Sequence, residues 1–584
     1  MNRSNIFKSM MILLIALGLL LPQGAILANA RQGKVLDDTP KTPVTVELSV
    51  SPSSGKGGTA AVTCKVSSTV EIQNLKVSIT ATRVSYLSTN KWTTTIAEGG
   101  ASVYSTTMQY SREGNISFTC TALGPILNGT RWGDAQTLYY NVSASAVTEG
   151  WNMSKNFQRN VANLLDENAP ELAAATSEFS GSVPGPDPAL APDGSQPAEP
   201  SGPNVAATTC YYGRWYFYDR GTYNAATGSP ATTANRALMA LRPLPWSSVW
   251  LYDDDGSSGD DYLGSALTDE NGYWNKCVTN PQADGDYIDL YIRAGLANTW
   301  FDVSTSNVYN PYYWCTDSGC GGAYNWYNTI GTSYNTGVWI LPNTSTNLLA
   351  AWTFNDLTRA NMYFRDPHRV NFDPSAPTIM EYTVGFSMVS RTKWTPSSTD
   401  GTYYSFGDDT IHLQGNDPRT YSALTHEWAH FVMNRLYGAD SEWPTGYGDC
   451  PSPHYYNGVS GRSCAWSEGW ADAVALLVPN DPLYRWASGS TANNETRAGF
   501  AAGDSVEGNV AAVFWDWMDK TNDGVAPNRD YVQLPFDSFL KAFDVQNDDM
   551  FLQYWTYWKA LKEYCLPALY ALKLNISTTG YTCP

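Results

Sequence analysis

The residues best suited to chemistry form one short run, His426-Glu427-Trp428-Ala429-His430. On an α-helix, residues four apart lie on one face, so both imidazoles can reach a single metal ion. Glu427 sits beside them, placed to take a proton from a water on that ion. Only five histidines occur in 584 residues. At that frequency the motif arises by chance in well under about one chain in a hundred, which weighs against two unrelated surface histidines. A catalytic zinc uses three protein ligands and keeps a position for water. Ser467-Glu468-Gly469-Trp470-Ala471-Asp472 offers the third, because Glu468 and Asp472 are also four apart and share a helix face. A solvated acidic face is the plain alternative there, and the histidine pair upstream argues against it.

The spacing predicts the elements that must hold these groups. Asp417 reads as an N-cap and Pro418 as a first-turn residue. Leu424, Trp428, Phe431 and Leu436 then recur close to helical spacing, and Gly438 stands where a helix ends. A second helix is expected from about Ala465 to Leu477, before Pro479. Asp408 to Leu413 reads as a short edge strand just ahead of the first helix, where a peptide backbone can pair. Asp504 with Glu507 reads as a capping box opening a helix whose stripe is Val506, Val510, Val513, Phe514 and Trp517.

With both helix motifs in view, the chain resembles the gluzincin metallopeptidases, the thermolysin-like zincins. The resemblance is carried by the segment from His426 to Asp472. It implies Zn2+ held by His426, His430 and Glu468, with Asp472 orienting His426 from behind. It implies Glu427 as general base on zinc-activated water, and a peptide or protein substrate. Enzymes of this kind use a Tyr or His from elsewhere in the chain to stabilise the oxyanion. His454, Tyr455 and Tyr456 are the candidates, with His368 a weaker one. The metzincin pattern is absent, since Phe431 to Leu436 holds no third histidine. The stretch between His430 and Glu468 is longer than the family usually has, and it contains Cys450 and Cys464.

Other features bear on where the chain works. Arg3 and Lys8, the apolar run Met10 to Leu21 and the Ala28-Asn29-Ala30 site read as a signal peptide over residues 1–30. The apolar run is too short to span a bilayer, and no later segment is long and apolar enough. Secretion, or display at the cell surface, is the expected localisation. All ten cysteines lie beyond the signal, and an even count in an exported chain implies disulfides. Nearest-neighbour pairing gives Cys64–Cys120, Cys210–Cys277, Cys315–Cys320, Cys450–Cys464 and Cys565–Cys583. No C-x-x-C pair suggests a cysteine zinc site. Lys plus Arg is 36 against 55 Asp plus Glu, and so acidic a chain repels phosphate backbones, which excludes nucleic acid as a partner. Nothing in the sequence fixes an oligomeric state.

The expected fold class is multidomain: two N-terminal all-β sandwiches, then a mainly helical α+β zincin domain. Residues 31–145 alternate with period two, as in Val44-Thr45-Val46-Glu47-Leu48-Ser49-Val50. With Cys64 and Cys120 in strand-like runs, they resemble an immunoglobulin-like sandwich, although Phe118 stands where that family often has Tyr, and Trp92 is badly placed for its core Trp. This part reads as an adhesion module, a spacer or a pro-segment. Residues 146–209 change to a possible helix from Asn156 to Ala175 and a Pro/Gly/Ser-rich linker from Gly181 to Pro203. Residues 210–340 return to β. There Val249 to Tyr252, the acidic run Asp253 to Asp261, Leu263-Gly264 and Thr268-Asp269-Glu270-Asn271-Gly272 resemble the transthyretin-like, carboxypeptidase regulatory-like sandwich. Residues 341–584 form the last domain. Ca2+ is a second candidate cation, at the acidic run or at Asp516, Asp519 and Asp523, where a solvated loop and a turn are the simpler readings. The whole is read as a secreted zinc metallopeptidase. The alternative is a cell-surface binding or adhesion protein with a non-catalytic zincin-like domain.

Overall fold

The computed structural model describes residues 40–149, 159–160 and 208–583, except 54, 82–83, 111–113, 221–239, 255–260, 280–287, 299, 306–310, 317–325, 330–332, 342–344, 366–389, 396–400, 438–443, 445–449, 452, 520–523, 526–527, 530–549, 561–564, 567, 570–571, 573–575 and 577–580. The expected signal peptide, linker, His368, Gly438, Cys320, Asp523 and most of the acidic run lie outside the described residues, as does the expected linker helix except at Arg159–Asn160, which form a short strand instead.

The first region is two antiparallel sheets. Strands β1 (Val44–Pro52), β2 (Thr59–Ser68), β3 (Ile72–Ala81), β4 (Val84–Tyr86), β5 (Lys91–Ile96), β6 (Ala101–Tyr110), β7 (Gly114–Leu123), β8 (Gly133–Val142) and β9 (Val147–Glu149) follow in order. One sheet runs β1-β2-β6-β4 and the other β5-β3-β7-β8-β9. Period-two patterning explains the two faces: Val44, Val46 and Leu48 are buried while Thr45, Glu47 and Ser49 face out. Cys64 on β2 and Cys120 on β7 join the two sheets by a disulfide. Phe118 fills the corner between the edges of Tyr110 and Tyr140, so packing stands where a Tyr hydroxyl would make a hydrogen bond. Trp92 is only half-buried, against Tyr104.

The second region adds β10 (Arg159–Asn160), β11 (Thr208–Asp219), β12 (Ala240–Pro243), β13 (Ser248–Asp253), β14 (Asp261–Leu267), β15 (Tyr273–Thr279), β16 (Ile288–Gly295), β17 (Phe301–Ser304), β18 (Tyr313–Cys315), β19 (Trp326–Thr329) and β20 (Ser333–Ile340). One sheet is β10-β20-β11-β12, with β15 also on β11; the other is β14-β13-β16-β18, with β19 also on β16. Cys210 and Cys277 face each other across β11 and β15 and are bridged. Cys315 is also disulfide-bonded. The turn at Asp269 forms as its residue types suggest: Oδ1 accepts the N–H groups of Asn271 and Tyr273, and Gly272 takes φ +71°.

The last region contains α1 (Ser345–Arg365), β21 (Ser390–Trp394), β22 (Tyr403–Ser405), β23 (Thr410–Leu413), α2 (Tyr421–Tyr437), α3 (Arg462–Leu477), the hairpin β24 (Leu483–Arg485) and β25 (Thr491–Asn493), α4 (Glu507–Met518), the hairpin β26 (Gly524–Val525) and β27 (Asn528–Arg529), and α5 (Phe551–Ala560). Helices therefore share this region with a four-stranded sheet of order β17-β21-β23-β22.

That sheet departs from the expected organisation in two ways. First, β17 lies before the expected boundary at 340/341, yet it pairs in parallel with β21. All four of its residues are buried, as strands covered on both faces must be. A single hydrophobic core accordingly runs from Tyr211 to Tyr581, while the first sandwich has its own. The joint is also polar: the Trp352 indole donates to the Tyr218 carbonyl, and buried Arg220 reaches both the Asp356 carboxylate and the Pro418 carbonyl. Second, the strand ahead of α2 is not an edge. β23 is enclosed between β21 and β22, and the edge is antiparallel β22.

Helix starts also differ from expectation. Asp417 does not cap α2. Residues Asp417–Arg419 form one tight 3-10 turn, and the Asp417 carboxylate accepts the Thr402 hydroxyl instead. Thr420 Oγ1 accepts the Ser422 N–H at 2.9 Å and donates to the Arg485 carbonyl, so this residue opens α2. Helix α3 begins at Arg462, earlier than expected. No capping box forms at α4: its cap is Val506 with no side-chain bond, and Asp504 instead pairs with Arg462 and accepts the Tyr581 hydroxyl.

Candidate metal centre

Helices α2 and α3 are buried on all sides; only Arg435 in α2 and Arg462 in α3 escape full burial. A helix apolar all round belongs in a core, so any polar side chain on it must find partners there. The histidines of α2 and the acids of α3 find each other. His426 Nε2 lies 3.0 Å from His430 Nε2 and 3.1 Å from Glu468 Oε2, and His430 Nε2 lies 3.3 Å from Glu468 Oε2. Tetrahedral zinc with ligands at 2.0–2.1 Å sets them roughly 3.3 Å apart. The three donor atoms therefore have the separations of neighbours around one such ion. Among the described residues this is the only group of three or more His, Cys, Asp or Glu side chains whose donor atoms converge in this way. The donor set, two imidazoles and a carboxylate, is one that catalytic zinc takes.

Behind the triangle, His426 Nδ1 is 2.9 Å from Asp472 Oδ1. An acceptor there fixes the tautomer and leaves the Nε2 lone pair facing Glu468 and His430. Glu427, between the two histidines in sequence, is fully buried. The acids carry opposite electrostatic biases. Burial alone would raise Glu468, but His430 and His454, with hydrogen bonds from His426 and His430, hold it well below the usual carboxylate range. Burial, then the charges of Glu507 and Glu468, push Asp472 well above that range, against the lowering effect of His454.

Of the three oxyanion candidates, one faces this cluster. His454 is buried, with Nε2 at 3.8 Å from Glu468 Oε2 and Nδ1 at 2.8 Å from Glu507 Oε2. Tyr456 is core: its hydroxyl donates to Asn494 Oδ1, and its ring packs among Tyr484, Trp486 and Phe500. Tyr455 is half-buried and takes part in a main-chain bridge with Lys41. His412 stacks flat on Tyr403.

Glu507 is the residue that sequence reasoning misplaced. It opens α4, and α4 reaches the site because α3 carries Gly469. A Cβ at Gly469 would stand 2.6 Å from both the Glu507 carbonyl oxygen and Val510 Cβ. The available signal was an acid three residues ahead of the apolar run Val510 to Trp515.

Calcium finds no support here. Asp253 accepts the Asp289 N–H, Asp516 and Asp519 are buried on and just past α4, and none joins a carboxylate cluster among the described residues. Cys450–Cys464 and Cys565–Cys583 are both bridged.

Residues 387–573 match the family model described as the Mycolysin C-terminal domain. The match gives this region a thermolysin-like metallopeptidase context and makes a peptide-hydrolysing, zinc-dependent activity its coarse expectation. No curated protein matches the chain significantly. Among solved structures, a 9R-lipoxygenase from Cyanothece PCC8801 is similar at 16% identity, covering 47% of this chain and 28% of that one, with a TM-score of 0.16. Superposition at that level supports no common fold, and this chain spans well under a third of the lipoxygenase. No helix among the described residues is long and apolar enough to cross a membrane.

Proposed function

We propose that this chain is a secreted zinc metallopeptidase of the gluzincin kind, hydrolysing peptide bonds with Glu427 as general base. The observation that carries the reading is the buried triangle of His426, His430 and Glu468, with Asp472 set behind His426. Those three residues would hold the zinc, which when bound supplies Lewis acidity to a water and a peptide carbonyl.

The chain's own residues do the rest. Glu427 takes the proton of the attacking water and returns it to the leaving amine. Asp472 accepts from His426 Nδ1 and keeps that ring in one orientation. Glu507, against His454 Nδ1, favours the imidazolium form, whose Nε2–H is a donor. His454 then donates to the oxyanion that develops at the scissile carbonyl. Strand β22, the edge of its sheet among the described residues, is where an extended peptide adds as a further strand. Residues 1–30 direct the chain out of the cell, and a peptide or protein is the substrate.

The test is zinc content together with cleavage of casein or a peptide library, with and without chelator, on the purified mature chain. One equivalent of zinc and chelator-sensitive cleavage is expected. Zinc without cleavage of any peptide overturns the peptidase reading and favours the binding-protein alternative.

A further inference from the structure

Resting on that reading, we propose that the N-terminal sandwich is a fixed part of the catalytic unit. Its entry strand positions His454, and Lys41 is the positioning residue, acting through its main chain.

The contact is specific. The Lys41 N–H donates to the His454 carbonyl at 3.0 Å, and the Tyr456 N–H donates back to the Lys41 carbonyl at 3.2 Å. This is a parallel β-bridge centred on Tyr455. The opposite side of the same segment is held by α4. There the Gly508 N–H donates to the Tyr456 carbonyl at 3.0 Å, beside the Glu507 carboxylate that meets the His454 ring. His454 is thus clasped between two elements, one from each end of the chain. Pro40 is fastened too, its carbonyl accepting the Trp486 indole N–H.

A second contact locks the sandwich at a distance from the first. The connection between β7 and β8 pairs with β25 as an added strand: Arg131 and Thr491 exchange main-chain hydrogen bonds at 2.8 and 3.0 Å. Thr491 Oγ1 donates to the Gly129 carbonyl, Ser490 Oγ to the Gly133 carbonyl, and Asn493 Nδ2 to the Asn128 carbonyl. Trp132 packs edge-on to Trp486 and touches both hydrophobic cores. Two separated attachments fix orientation as well as distance. A group that must meet an oxyanion within hydrogen-bond range gains from such fixing, because small misplacements are costly in rate.

The test is made in the full mature chain. Lys41→Pro removes the N–H that His454 uses. It is expected to lower kcat by about tenfold or more with KM within about twofold, and to leave one equivalent of zinc bound. Amide hydrogen exchange in the peptide containing residues 454–456 is expected to accelerate, with zinc or without it. Lys41→Ala restores the main-chain donor and is expected to restore both quantities. If Lys41→Pro does not fold, Trp486→Phe removes the donor to Pro40 while keeping an aromatic ring against Trp132 and Tyr456, and is expected to loosen the same peptide.

Wild-type exchange at 454–456 in Lys41→Pro, or in Trp486→Phe where that variant stands in for it, overturns the proposal, as does wild-type kcat in a folded Lys41→Pro chain. A rise in activity also overturns it, since that is the behaviour of a removable pro-segment. If the wild-type chain cleaves nothing, the peptidase reading fails on its own, and the exchange measurement still decides the positioning.

Discussion

Replacing Glu507 by Gln isolates one electrostatic contribution. The substitution keeps the side chain's shape and an oxygen able to accept from His454 Nδ1, now 2.8 Å from Oε2. What disappears is the negative charge. A hydrogen bond to a charged group contributes about 1.5–3 kcal/mol, against about 0.5–1.5 for a neutral one, so the charge itself is worth about 1–1.5 kcal/mol. Both partners are buried, so solvent does little to screen the difference. If that charge stabilises the imidazolium donor in the transition state, kcat falls roughly 5- to 15-fold. Glu507→Ala also strands the ring nitrogen and costs about 2–3 kcal/mol, or roughly 30- to 150-fold. The assay is steady-state cleavage of one fluorogenic peptide, with zinc content measured on the same samples. Zinc should stay at one equivalent in both variants, since Glu507 is outside the donor triangle. A kcat within twofold of wild type in Glu507→Ala, with zinc retained, would refute the role assigned to the His454–Glu507 pair.

Glu427→Gln should keep its zinc by elemental analysis and lose about 10²- to 10⁴-fold in turnover. Asp472→Ala should weaken zinc affinity by about 10- to 100-fold in competition with a chelator, because His426 loses the group that orients it. Gly469→Ala should destabilise the chain by about 1–3 kcal/mol, since the new Cβ meets backbone and a branched side chain that cannot rotate aside; an unchanged melting temperature would contradict the packing of α3 on α4. Replacing Cys565 and Cys583 together by Ser should lower the melting temperature in calorimetry, as opening a loop of 18 residues removes about 3 kcal/mol of constraint on the unfolded chain.

The parts of the site that were legible from sequence are those written in local spacing. Two residues four apart on each of two helices placed His426 with His430, and Glu468 with Asp472, on shared faces, and the structure brings those faces together. Export-associated cysteines paired with their neighbours at four of the expected bridges. What escaped was set by tertiary contact. Glu507 fits a local capping box with Asp504, but the buried His454 imidazole takes its carboxylate instead. Asp417 fits an N-cap, but the Thr402 hydroxyl claims its carboxylate. Phe301–Ser304 alternates apolar and polar residues like the strands before it although all four are buried, and so nothing in its pattern assigned it to the sheet of β21 rather than to the sandwich before it.

The placement of β17 has a practical consequence for anyone wishing to express the C-terminal half alone. A fragment begun at residue 341, or trimmed to the 387–573 family match, discards the strand that borders β21. It would present Ser390–Trp394 as a bare parallel edge and uncover Phe301's neighbour Phe354 on α1, where that helix is kept. Unpaired edges recruit other chains. The smallest excisable piece that keeps this sheet intact starts upstream of β17, and its yield as a soluble product should depend on that choice more than on any residue at the metal centre.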